Sequence, residues 1–163
     1  MSKAYAMTGW RIGYTAADKE IIGIMGNIQS HSTSNPNSIA QYASLEALRG
    51  PHSIIDDMVS KFDGRRKFMV ERINNIDGIS CIMPKGAFYI MLNLSDIMGQ
   101  AYKGRKIESS MDFADALLES QKVAIVPGIA FGADKYARLS YATSMDNIDK
   151  GLNRIETFIK ELQ

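Results

Sequence analysis

Cysteine is almost absent: Cys81 stands alone in 163 residues. No disulfide can form within the chain, and a reducing compartment such as the cytoplasm suits that usage. Long hydrophobic runs are missing too. No stretch approaches the ~20 apolar residues that cross a bilayer, and the first residues lack the apolar core of a signal peptide. A soluble, cytoplasmic protein without a membrane partner is expected. Neither sign of charge dominates, since 19 Lys and Arg stand against 18 Asp and Glu for a net charge of +1. That balance gives no electrostatic pull toward nucleic acid. The two histidines, His31 and His52, stand outside metal-ligand spacing, so no metal site is expected. No G-x-G-x-x-G or P-loop pattern occurs.

What remains is an ordinary globular composition, 45% hydrophobic and 23% charged, in a chain long enough to bury roughly 70% of its unfolded surface. Residues 10–16 form a short β-compatible apolar run, after which Ile21, Ile22 and Met25 follow helical spacing. Asn35-Pro36 offers an N-cap with proline in the first turn and predicts a helix over about 36–49, closed by Gly50-Pro51. Ile54, Met58, Phe62, Met69, Ile73 and Ile76 then mark one long amphipathic helix, in which Gly64 costs about 1 kcal/mol relative to alanine. Strand patterns at 79–83 and 87–94 flank Pro84-Lys85-Gly86, and 101–108 reads as a solvated loop. Ser109 and Asp112 make a capping box before Phe113, Ala114, Leu117 and Leu118. Strands at 123–126 and 137–142 follow, and Ser144 caps a last helix striped with Ile148, Leu152, Ile155, Ile159 and Leu162. The order predicts an α+β (α/β) arrangement with helices covering one sheet.

The chemistry is concentrated in the run Met1-Ser2-Lys3-Ala4-Tyr5-Ala6-Met7-Thr8-Gly9-Trp10-Arg11-Ile12-Gly13-Tyr14, where a lysine and an arginine stand eight positions apart among small, turn-permitting residues. Such a pair suits a lysine-bound phosphorylated cofactor. The run closely resembles the cofactor-lysine segment of the class I pyridoxal-phosphate aminotransferases, the aspartate aminotransferase family. Ser34-Asn35-Pro36 with Ile39-Ala40-Gln41, Pro84-Lys85-Gly86-Ala87-Phe88-Tyr89, Val126-Pro127-Gly128 with Phe131-Gly132, and Arg138-Leu139-Ser140-Tyr141-Ala142 follow in that family's order.

The resemblance implies the C-terminal portion of a fold type I enzyme. Residues 1–49 would be the tail of the large cofactor-binding domain, and 50–163 a long connecting helix with the small C-terminal domain. It implies pyridoxal 5'-phosphate as cofactor, amino acid and 2-oxo acid substrates (aspartate or a relative), and a homo-oligomer. Lys3 would bond to the cofactor aldehyde and then move protons, Arg11 and Ser2 would hold its phosphate, and Arg138 would grip the substrate α-carboxylate. The family's acidic partner of the ring nitrogen and its ring-stacking aromatic have no counterpart in this sequence. Little or no transamination is therefore expected from the chain alone, and its strand at 10–16 is expected to expose unpaired backbone and favour self-association. A pyridoxal-phosphate lyase of the same fold and a non-catalytic interaction module are the alternatives. Taken without the resemblance, Arg11 on a strand and Arg138 are ordinary surface cations, and Phe88, Tyr89 and Phe131 are core aromatics before they are pocket residues.

Overall fold

In a computed structural model, which describes residues 1–163, the chain divides into two compact units, Met1–Met58 and Val59–Gln163. The first contains a 3-10 turn at Thr8–Trp10 and helices α1 (Lys19–Ser32) and α2 (Ser38–Arg49). Helix α3 (Ser53–Asn74) carries the boundary between the units. The strand expected at 10–16 does not form. Arg11 ends the 3-10 turn in the left-handed region (φ 51°), and residues 12–18 pair with no strand. A β-compatible run becomes a strand only where a neighbour completes its ladder, and no other segment of this chain does so. The helix expected from Pro36 begins at Ser38 instead. Its N-cap is Asn37, whose side-chain oxygen accepts from the Ala40 amide at 3.1 Å, and Gly50 closes it as expected.

The second unit is built on an antiparallel sheet in the order β1-β2-β6-β5, formed by β1 (Ser80–Cys81), β2 (Tyr89–Asn93), β5 (Val126–Pro127) and β6 (Tyr136–Ser140). Strand alternation divides its residues between two faces. Ile90 and Leu92 of β2, with Ala137 and Leu139 of β6, turn into the core. There they join Phe113 and Leu117 of α4 (Ser110–Gln121), Ile148, Leu152, Ile155 and Phe158 of α5 (Met145–Lys160), and Met69, Val70 and Ile73 from the last turns of α3. Phe158, fully buried, meets Phe113 edge-on at 5.5 Å and Tyr102 at 4.7 Å. Arg72 of α3 ties to α5 through Asn153 and Glu156 at 2.6 and 3.1 Å.

Both helix starts read from the sequence hold. Ser109 and Asp112 complete a reciprocal capping box on α4, and the Ser144 hydroxyl accepts from Asn147 on α5. The segment expected as a solvated loop is a hairpin, β3 (Ala101–Tyr102) with β4 (Arg105–Lys106). Lys103 and Gly104 turn it with φ of 48° and 85°, the double positive φ of a two-residue primed turn. Ala101 extends the pairing through two backbone bonds with Gln163. No helix of the chain is long and apolar enough to cross a membrane.

Candidate active site

The four residues singled out by the sequence fall two ways. Ser2, Lys3 and Arg11 lie in the Met1–Met58 unit, and Arg138 lies in the Val59–Gln163 unit. In the first unit, residues 1–11 fold back on themselves through local bonds. The Tyr5 amide donates to the Met1 carbonyl at 3.2 Å and the Ala6 amide to that of Lys3 at 3.1 Å. Thr8 then links two of the candidates: its hydroxyl donates to the Ser2 carbonyl at 2.9 Å, and its own carbonyl accepts from the Arg11 guanidinium at 3.0 Å. Lys3 and Arg11 are exposed, and Arg11 makes no ion pair. No acidic side chain occurs among residues 1–17. An amine, a hydroxyl and a guanidinium with most of its donors uncommitted, in a segment free of carboxylates, form a donor set that fits a phosphorylated aldehyde.

Arg138 is the middle residue of β6, with Met91 of β2 and Val126 of β5 as its cross-strand partners. Its neighbours Ala137 and Leu139 enter the core, so alternation sends Arg138 to the opposite face. There the guanidinium carbon stands over two rings, 4.3 Å from the centroid of Tyr89 and 4.7 Å from that of Phe131. It pairs with no carboxylate of the chain. A planar cation held over aromatic rings and paired with no carboxylate keeps N–H donors for an in-plane, bidentate acceptor, which is the shape of a carboxylate.

The loop that delivers Tyr89 is itself tied down. The buried Tyr141 hydroxyl donates to the Ala87 carbonyl at 2.9 Å, and the Tyr141 amide donates to the Phe88 carbonyl at 3.0 Å. Ala87 takes up the left-handed conformation between them (φ 62°). Arg66, paired with Asp63, donates to the Pro84 carbonyl at 2.9 Å. Burial raises the Tyr141 hydroxyl pKa above the ordinary phenol value, which keeps it protonated as a donor. Burial also pushes the Cys81 thiol up to about 11, leaving it protonated and unreactive at neutral pH. No group of three or more His, Cys, Asp or Glu side chains is gathered as a metal site would require. Sequence reasoning read Tyr89 and Phe131 as core aromatics first and pocket residues second; their contact with Arg138 is a feature of the fold, since they stand 49 and 7 positions from it.

An arginine held over two rings on a sheet and a lysine–arginine segment free of acids are the residue types used by the class of proteins that bind a phosphorylated cofactor and a carboxylate. The comparisons give that class its family. The model of aminotransferase class I and II matches residues 1–155, and the chain belongs to this family. An aspartate/prephenate aminotransferase of Nitrosomonas europaea is 45% identical over 161 residues, 98% of this chain and 41% of that protein. The aspartate aminotransferase of Bacillus subtilis is 43% identical over 161 residues, 99% and 40% of the two chains. Among solved structures, the aspartate aminotransferase from Rhizobium meliloti superposes with a TM-score of 0.96 at 43% identity, covering 99% of this chain and 41% of that one. The aromatic aminotransferase from Pyrococcus horikoshii gives 0.88 at 35% identity, with 98% and 41% covered. These neighbours have the fold type I architecture, and the mixed helices and sheet seen here correspond to one portion of it. The chain spans about two fifths of the length of the curated relatives it matches.

Proposed function

We propose that this chain is the part of a pyridoxal-phosphate aminotransferase that carries the cofactor lysine and the substrate-carboxylate arginine, acting on aspartate or a related amino acid and a 2-oxo acid. The observation that carries the reading is the stacked, carboxylate-free guanidinium of Arg138. The names of the relatives, aspartate and aspartate/prephenate aminotransferase, support the substrate class. Pyridoxal phosphate, when bound, supplies an aldehyde for the amino group and a ring that accepts electron density from the α-carbon. Lys3 would hold the cofactor through its side-chain amine, and that amine would carry the proton to and from the substrate α-carbon. Arg11 and the Ser2 hydroxyl hold the phosphate. Arg138 takes the α-carboxylate in a bidentate pair and thereby fixes the orientation of the α-carbon.

In this reading residues 1–49 belong to the large cofactor-binding domain and 50–163 to the connecting helix and small domain. The working protein is a cytoplasmic homo-oligomer. The test is reductive labelling: pyridoxal phosphate is added, borohydride traps the adduct, and peptide mapping compares all eleven lysines. Stoichiometric label at Lys3, abolished in Lys3→Ala, is the expected result. Label scattered over the other ten and unchanged in Lys3→Ala would contradict the assignment.

A further inference from the structure

Phe131, one of the two rings on Arg138, does not belong to a strand. It ends a 3-10 turn, Gly128–Phe131, and Gly132 reverses the chain after it (φ 72°). Half its surface is exposed (49%), so side-chain burial alone does not set its position. The turn is instead anchored at its backbone. The Ser110 hydroxyl, with Ser110 wholly buried, accepts from the Ile129 amide at 3.1 Å and donates to the Asp134 carboxylate at 2.7 Å. The same carboxylate oxygen accepts from the Ser110 amide at 2.9 Å. That amide is one of the donors a helix start leaves without an intrahelical partner, here at the first residue of α4. Asp134 therefore joins the α4 N-terminus, the Phe131 turn and the approach to β6 in one hydrogen-bonded unit.

Gly128 allows the turn to close this tightly. A Cβ at that position would stand 2.1 Å from the Ala133 carbonyl oxygen and 2.2 Å from that of Tyr136. The Gly128 carbonyl accepts from Ala133 at 3.0 Å, completing the loop immediately before Tyr136 opens β6. Arg138 follows two residues later, so the ring and the cation it covers are set from opposite ends of one closed loop.

We infer that Asp134 and Ser110 are positioning residues for carboxylate binding: they hold the Gly128–Phe131 turn so that Phe131, together with Tyr89, keeps the Arg138 guanidinium over aromatic rings and ready for a carboxylate. The inference rests on the reading of Arg138 as a carboxylate site. Its physical basis is preorganisation. An arginine free to sample its rotamers loses that freedom on binding, whereas a stacked one has already lost it.

The test uses the full 163-residue chain, with succinate as the carboxylate probe and the side-chain Nε–H resonance of Arg138 as a direct report on stacking. In the unsubstituted protein that proton lies upfield, shifted by the two rings, and responds to succinate. Phe131→Leu and Asp134→Ala each move it toward the ordinary arginine position and raise the succinate Kd roughly 3- to 30-fold, the range expected for a stacked cation. Phe131→Tyr and Asp134→Asn, which keep a ring and an acceptor oxygen, restore both readouts. Melting temperatures measured alongside separate this from unfolding, because Phe131→Leu alters an exposed side chain. An Arg138 resonance and a succinate Kd both unchanged in Asp134→Ala would overturn the positioning role, while loss of binding in Arg138→Ala would still uphold the carboxylate site. Succinate binding unaffected by Arg138→Ala would overturn both.

Discussion

The units Met1–Met58 and Val59–Gln163 treat their apolar residues in opposite ways. In the second, Ile73, Leu92, Phe113, Leu117, Leu152 and Phe158 are all within 1% of full burial in a single cluster. In the first, α1 buries no residue and α2 only Ala40 and Ser44. Tyr14 and Tyr42 are each 75% exposed, and Ile24, Ile28 and Ile39 are exposed with them. Helix α1 has the apolar content of a packed helix without the packing, and a 14-residue helix draws most of its stability from packing rather than propensity. The proposed chemistry divides along the same line. The carboxylate grip stands on a finished core, and the cofactor lysine stands on a segment whose apolar surface the chain does not itself cover.

Substitutions that exploit the contrast should differ most at its extremes. Phe158→Ala removes a ring packed between Phe113 and Tyr102 and is expected to cost about 3–5 kcal/mol in denaturant unfolding. Ile24→Ala, at 62% exposure in α1, should stay within about 0.5 kcal/mol. An equal loss for the two would erase the distinction between the units. Gly128→Ala comes next, at roughly 2–3 kcal/mol, because the new Cβ meets backbone carbonyls that cannot step aside. It should also displace the Arg138 resonance, linking the stability of the second unit to the proposed carboxylate site.

The smallest effect is local and pH-dependent. Ser109→Ala should cost about 1 kcal/mol at neutral pH. The Ser109 hydroxyl, followed by the amides of Glu108 and Ser109, holds the Asp112 carboxyl below the ordinary aspartate value against the opposing pull of burial. A depressed carboxyl stabilises the fold fully above its unfolded pKa, and that stabilisation is lost as the pH falls through the lower folded value. The difference between Ser109→Ala and the unsubstituted protein should therefore be constant from pH 7 down to about 5 and shrink below about 4. Thermal melts across that range check it.

Signals that act within one turn were legible in the sequence. The Ser109–Asp112 box, the Ser144 cap and the Gly50 stop each depend on atoms three or four residues apart, and each stands where it was expected. The strand at 10–16 was not legible, because a strand is decided by its partner and propensity is silent about partners. The β3–β4 hairpin was missed although Lys103-Gly104 could have announced its turn; the flanking strands are two residues each, too short to show alternation. At the candidate site, Lys3, Ser2, Arg11 and Arg138 were named from motifs. The bond from Ser110 to Asp134 spans 24 residues, and Tyr89 reaches Arg138 across 49. Pairings of that kind are made by topology, and no spacing rule in the sequence encodes them.

Hydrogen exchange read peptide by peptide tests the division most directly. With one unit closed around its own core and the other left uncovered, the amides of β2, β6 and α5 should exchange only through global opening of the Val59–Gln163 unit, and those of α1 far faster, through local fraying. Protection of α1 equal to that of α5 in the same sample would contradict the account, since it would mean that the unit carrying Lys3 is already as firmly packed as the unit carrying Arg138.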